Sequence, residues 1–103
     1  MAQFDVCRNA GDSSEYYPYL VVLQSGLIPS NKSRIVAPLC HSSQFEKALK
    51  VCPLIELEKE QWLLIVPQLA SVPISYLGNQ VANIESERRD ILVALDRLFT
   101  GAG

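Results

Sequence analysis

The chain has 103 residues, enough for one domain and too few for two of ordinary size. Its apolar fraction of 49% against a charged fraction of 19% excludes a disordered polymer. A net charge of −2, with nine basic residues scattered among eleven acidic ones and Arg88-Arg89 the only adjacent pair, argues against direct nucleic-acid binding. Such binding needs a surplus of Lys and Arg to displace phosphate counterions.

No apolar run is long enough to span a bilayer, because the best candidate, Leu63 to Val66, stops at Pro67. Met1 to Asp5 lack the basic and apolar regions of a signal peptide, so a cytoplasmic, single-domain protein over residues 1–103 is expected. A domain this small leaves apolar surface that a second copy would help to cover. Cys7, Cys40 and Cys52 are odd in number and widely spaced. That fits neither a zinc site nor a disulfide framework, and plain buried or half-buried thiols are expected.

In chain order, Phe4 to Arg8 alternate apolar and polar residues, as in a half-buried strand. A polar loop follows from Asn9 to Glu15. Tyr19 to Leu23 form an apolar, β-branched run suited to a strand covered on both faces. Ile35 to Leu39 predict a third strand, with Pro38 pointing to an edge position or a bulge. Ser43-Gln44-Phe45-Glu46 have the form of a capping box, and Ala48-Leu49 continue with helical spacing, so a short helix is expected there.

Leu54 to Glu58 alternate, placing Ile55 and Leu57 on one face and the glutamates on the other. The polar stretch Glu58 to Gln61 leads into Trp62 to Val66, which together read as a hairpin. Pro67 and Pro73 bracket a further extended stretch from Leu69 to Ile74. Ile84, Ile91, Ala94, Leu95 and Leu98 recur at helical spacing and form one apolar stripe. Asn83 or Ser86 suits the start of that helix, Glu85 and Arg89 stand four apart, and Gly101 falls where the helix should stop. Strands first and a helix last indicate an α+β domain with a small antiparallel barrel or sheet.

The residues offer little for catalysis. His41 is the single histidine and lies beside Cys40, but neighbours in an extended segment point to opposite sides and do not act together. Glu56, Glu58 and Glu60 at alternate positions suit the wet face of a hairpin better than an acid–base or metal site. The five glycines are dispersed, which rules out a phosphate-cradling loop. Catalytic and metal residues are therefore expected to be none, with no cofactor.

Two features suit binding instead. Gly26 to Ser30 place Leu27 and Ile28 in a turn-like segment, either exposed or tucked beneath the domain as a satellite cluster. The helix runs on to Phe99 with only Thr100 to Gly103 after it, so its last turn is either displayed at the surface or frayed.

Tyr17-Pro18-Tyr19-Leu20-Val21 followed by Gln24-Ser25, Ala37-Pro38-Leu39, and above all the stretch from Trp62 to Val81 with Ala70-Ser71-Val72-Pro73 inside it resemble the CcdB toxins. The resemblance covers most of the chain, and from Trp62 to Phe99 it runs without a gap. It implies an SH3-like antiparallel β-barrel with a small extra sheet and a long C-terminal helix, assembled as a homodimer. It further implies a toxin of a toxin–antitoxin pair that binds the A subunit of DNA gyrase, traps the enzyme on cleaved DNA and is neutralised by a CcdA-like antitoxin. Carried over by position, the gyrase contacts fall on Leu27, Ile28, Asp96, Phe99, Thr100, Gly101 and Ala102. The antitoxin surface is placed around the polar loop from Asn9 to Glu15.

The tail departs from the family pattern, which ends in an aromatic residue or Thr, then Gly and Ile. Here Ala102 stands in place of the large apolar residue and Gly103 follows it. Val22-Leu23 also stand where family members often carry an acidic residue before Gln-Ser. A MazF-like ribonuclease toxin and a degenerate relative that only binds antitoxin are the competing readings. The first needs a basic groove and an acid–base pair that the residues do not supply.

Overall fold

The structure, a computed structural model, describes residues 2–27, 32–41 and 51–101. Its strands are β1 (Asp5–Asn9), β2 (Tyr19–Val22), β3 (Ser33–His41), β4 (Leu54–Leu57), β5 (Glu60–Leu64), β6 (Ala70–Pro73) and β7 (Leu77–Asn83), followed by the helix α1 (Arg88–Thr100). The short helix expected around Ser43 to Leu49 lies outside the described residues.

All pairings are antiparallel. The sheet runs β4-β5-β3-β2-β1-β7, and β6 joins it on β3. β3 is shared along its length. Its first half, Ser33 to Val36, pairs β6, and its last residues, Leu39 to His41, pair β5.

This division corrects the expectation for Pro38, which occupies a central strand and not an edge. Pro38 faces Leu20 of β2 and lies in the gap between the β6 and β5 pairings, where the 3₁₀ turn Val66–Gln68 interrupts the neighbouring chain. Its carbonyl still accepts the Ile65 N–H at 2.9 Å. A missing N–H is tolerated there because the ladder has no partner waiting for it.

The sheet is curled by necessity. β6 and β7 occupy opposite edges of the β6-β3-β2-β1-β7 path, about 19 Å apart if flat, at about 4.8 Å per strand. Yet only the 3₁₀ turn Ile74–Tyr76 joins them, and a link from Pro73 to Leu77 reaches about 14 Å at most. The turn stitches the two edges together. The Ile74 N–H donates to the Lys32 carbonyl at 2.9 Å, and the Ala10 N–H donates to the Tyr76 carbonyl at 2.8 Å. Gly78 permits the close approach of β7 to β1, because a Cβ there would stand 3.0 Å from the Arg8 carbonyl oxygen. The result is an α+β fold: an SH3-like antiparallel half-barrel, a small extra sheet of β4, β5 and the end of β3, and one C-terminal helix.

Alternation sorts the core. Val6, Val21 and Ala37 stand in register across β1, β2 and β3 and face the main cluster with Leu39, Ile55, Leu57, Trp62 and Leu64. Cys7 and Leu20 pair on the opposite face, where Leu20, Val22 and Val36 form a second cluster with Val72 and Leu77. β2 is thus covered on both sides, as its unbroken apolar run predicts. α1 closes the main cluster with Ile91 and Ala94 buried and Leu95 and Leu98 half-buried against it. Burial of a side chain such as Ile91 contributes about 1.5–3 kcal/mol.

Several local readings need adjustment. Phe4 is not part of the first strand. Its φ of 68° aims a fully buried ring into the core, while its N–H donates to the Val22 carbonyl and its carbonyl accepts from Ile84. The hairpin turn is only Glu58-Lys59, with φ of 53° and 66° and Leu57 opposite Glu60, so β5 begins two residues before Trp62. Glu85 lies in the 3₁₀ turn Glu85–Glu87 ahead of α1. It is therefore outside the helical spacing that would set it against Arg89, and its N–H donates to the Asn83 side-chain oxygen at 2.9 Å. None of Cys7, Cys40 and Cys52 is in a disulfide, all three are buried, and burial pushes each thiol above its ordinary 9.0.

Candidate functional site: a displayed helix end

The end of α1 is helical to Thr100 and exposed. Its core-facing stripe anchors the helix, and the residues off that stripe meet solvent. Phe99 is 70% exposed, although a benzyl side chain on a well-packed helix ordinarily turns inward. Asp96, Thr100 and Gly101 are exposed beside it. The Thr100 hydroxyl donates to the Asp96 carbonyl at 2.7 Å and lies 3.3 Å from the Asp96 carboxylate. Gly101 takes the left-handed conformation at φ 73°, and its N–H donates to the Arg97 carbonyl at 2.9 Å. Glycine adopts that φ without the steric cost a Cβ brings, so the helix ends in a defined αL cap. The helix is regular to Thr100, and the residues after Gly101 lie outside the described residues.

The second feature is the loop after β2. Leu27 is 92% exposed, and its N–H donates to the Ser25 hydroxyl at 3.1 Å. The start of the loop is tied down on both sides: Gln3 donates to the Leu23 carbonyl at 3.1 Å, and the Gln24 side-chain oxygen accepts the Ile35 N–H at 3.1 Å. Ile28 and Ala102, the remaining expected contact residues, lie outside the described residues.

The polar loop after β1 is built on Asn9. Its side chain donates to the Ser13 hydroxyl at 3.0 Å and to the Tyr17 carbonyl at 2.8 Å, and it accepts the Gly11 N–H at 2.8 Å. That framework holds Asp12 to Tyr16 out in solvent, with Tyr16 70% exposed.

The residues examined for catalysis are dispersed. Cys40 belongs to a buried cluster with Cys52, Leu63 and Ile65, whereas the His41 ring stands 5.2 Å from Trp62 on the other face of the strand. His41 Nε2 is 3.9 Å from a carboxylate oxygen of Glu60, and both side chains are well exposed. Glu56, Glu58 and Glu60 all face solvent along the hairpin. Among the described residues no group of three His, Cys, Asp or Glu side chains is placed to hold a metal ion. No helix among them is long and apolar enough to cross a membrane.

A cavity of about 360 Å³ opens between α1 and the start of β4, with Cys52, Leu54, Val93 and Ala94 in its walls and Asp90 and Arg97 a turn or more apart on its helical side. Leu92 is among the exposed apolar residues that sequence reasoning overlooked. It is 41% exposed and sits out of phase with the Ile91, Ala94 and Leu98 stripe, which is the signal that would have found it.

The curled half-barrel thus carries a helix end tipped by an exposed aromatic ring. Comparison with protein families matches residues 3–101 to the family described as CcdB protein. The chain belongs to the CcdB family, the toxins of toxin–antitoxin pairs.

Proposed function

We propose that this chain is a gyrase poison that acts by binding alone. As a homodimer in the cytoplasm, it docks the last turn of α1 and the loop at Leu27 on the A subunit of DNA gyrase and traps the enzyme on cleaved DNA. Leu27, Ile28, Asp96, Phe99, Thr100, Gly101 and Ala102 make the contact. A CcdA-like antitoxin neutralises the toxin, with Asp12 to Tyr16 as part of its docking surface.

The observation that carries this reading is the exposure of Phe99 on a helix end fixed by Thr100 and Gly101. An exposed aromatic ring has only two side-chain torsions to fix on binding and contributes up to about 2 kcal/mol when buried. A twofold dimer repeats the patch, and a symmetric pair of patches suits a symmetric partner in one of its forms. Preference for that form shifts the gyrase population toward it without bond chemistry by the toxin. Moving such an equilibrium from 1:99 to 99:1 takes about 5.5 kcal/mol of differential affinity, which two copies of the patch share.

The test is a DNA-cleavage assay with purified gyrase and supercoiled plasmid. Added toxin should accumulate linear, protein-linked DNA, and the Phe99→Ala variant should not. Failure of the wild-type chain to trap cleaved DNA would refute the reading. Degradation of added RNA would favour the ribonuclease alternative.

A further inference from the structure

The hairpin of β4 and β5 ends the sheet on an open strand. β4 pairs β5 on one side, and no described strand lies on its other side. The Leu64 N–H donates to the Pro53 carbonyl at 3.0 Å, so Pro53, and by alternation Ile55 and Leu57, turn their backbone groups to β5. Leu54 and Glu56 therefore direct their N–H and C=O groups outward, at positions about 7 Å apart along the edge. Both residues are exposed, Leu54 at 48%. Where β4 begins, the edge adjoins the cavity of about 360 Å³ whose far wall is the Asp90, Val93 and Arg97 side of α1. The Glu56 carboxylate faces neutral Gln61 across the ladder and has no ion pair among the described residues.

We propose that the outer edge of β4 is a docking site for an extended, basic segment of a partner protein, added to Leu54 and Glu56 as an antiparallel strand. The outward backbone groups match an extended chain, which supplies one acceptor and one donor to each residue. In that alignment a Lys or Arg stands opposite Glu56, and an apolar side chain stands opposite Leu54 two residues later. The residue after it, opposite Pro53, points to the face that carries Ile55 and Leu57, which is the α1 side, and enters the cavity. Glu56 repels an acidic strand and pairs with a basic one, so the charge selects the occupant. A second copy meeting β4 edge to edge, in the register that joins both outward pairs, sets Leu54 against Glu56 twice and supplies no cation. None of the residues assigned to gyrase takes part, so the proposal stands apart from the gyrase reading.

The experiment titrates the full chain with a terminally blocked peptide, Thr-Lys-Thr-Val-Val-Thr, and follows amide hydrogen exchange by NMR. Saturating peptide should slow exchange of the Leu54 and Glu56 amides by at least about tenfold. A peptide with Glu in place of Lys, and one N-methylated at its first Val, should each bind about tenfold more weakly. Glu56→Lys should lose affinity for the Lys peptide and gain it for the Glu peptide, with the circular dichroism spectrum unchanged. No saturable binding of the Lys peptide at about 1 mM would overturn the proposal. Equal affinities for the three peptides, or protection of β6 while Leu54 and Glu56 exchange as before, would overturn it as well. So would loss of self-association in Glu56→Lys by sedimentation equilibrium, which would assign the edge to a second copy.

Discussion

The Thr100 hydroxyl reaches back across the last turn of α1 to the Asp96 carbonyl at 2.7 Å, fixing the segment on which Phe99 is carried. The next residue, Gly101, donates its N–H to the Arg97 carbonyl. The exposed ring thus stands on a helix end whose last turn is closed by these two bonds. Deleting Thr100 to Gly103 should abolish toxicity in cells. Because Ile91, Ala94 and Leu95 keep their core contacts, the urea midpoint should fall by the equivalent of less than about 1 kcal/mol. A truncated protein that still kills would place the active surface elsewhere.

Asp5 ties the start of the chain to the end of β7. Its carboxylate, almost wholly buried, accepts from the Ala2 N–H at 2.8 Å, the Gln80 side chain at 2.9 Å and the Asn83 side chain at 2.9 Å. Asp5→Ala leaves these donors without their shared acceptor and should cost about 2 kcal/mol. Urea unfolding followed by the emission of the single tryptophan, Trp62, reads the change directly. A midpoint equal to that of the wild type would show that water replaces the carboxylate without penalty.

The Glu58-Lys59 turn forces two side-chain-bearing residues into the left-handed region. Both positions of a two-residue turn with positive φ favour Asn-Gly. Replacing Glu58-Lys59 with Asn-Gly should therefore stabilise the protein by about 0.5–1 kcal/mol without altering gyrase binding. Thermal unfolding checks the first point, and a fall in Tm would contradict it.

Burial raises the thiol pKa of Cys7, Cys40 and Cys52, with the Asp5 carboxylate adding to the effect at Cys7. The folded state thus holds its thiol protons more tightly than the unfolded chain. This contribution to stability is intact below the ordinary value of 9.0 and is lost as pH rises through the raised values. Stability measured by urea should decline above about pH 9, and the decline should shrink in a Cys7→Ala, Cys40→Ala, Cys52→Ala variant. Alkylation by iodoacetamide should be slow in the native protein and fast in urea.

The parts of the fold that were legible in the sequence are those where one physical signal dominates. The α1 stripe, the unbroken run of β2 and the alternation of Ile55 and Leu57 each follow from burial on a defined face. β7 was not legible as a strand, because Leu77 to Asn83 carry Gly78, Asn79 and Gln80 and little alternation. Its pairing with β1 passes through register shifts and depends on the corner at Ile74–Tyr76. Pro38 misled because its tolerance depends on where β3 changes partners, a relationship between segments some thirty residues apart. At the site, Phe99 and Leu27 were identifiable as apolar residues in places where cover is scarce. Leu92 was hidden beside the regular stripe, since a single out-of-phase leucine weakens a periodic pattern without announcing a second face.

The most direct measurement is calorimetric titration of the purified gyrase A subunit with the unaltered chain and with Phe99→Ala. Saturable binding by the unaltered chain, reduced at least about thirtyfold by loss of the ring, is the expected result. Equal affinities for the two proteins, or no heat of binding from either, would contradict the claim that the displayed end of α1 is the surface that engages gyrase.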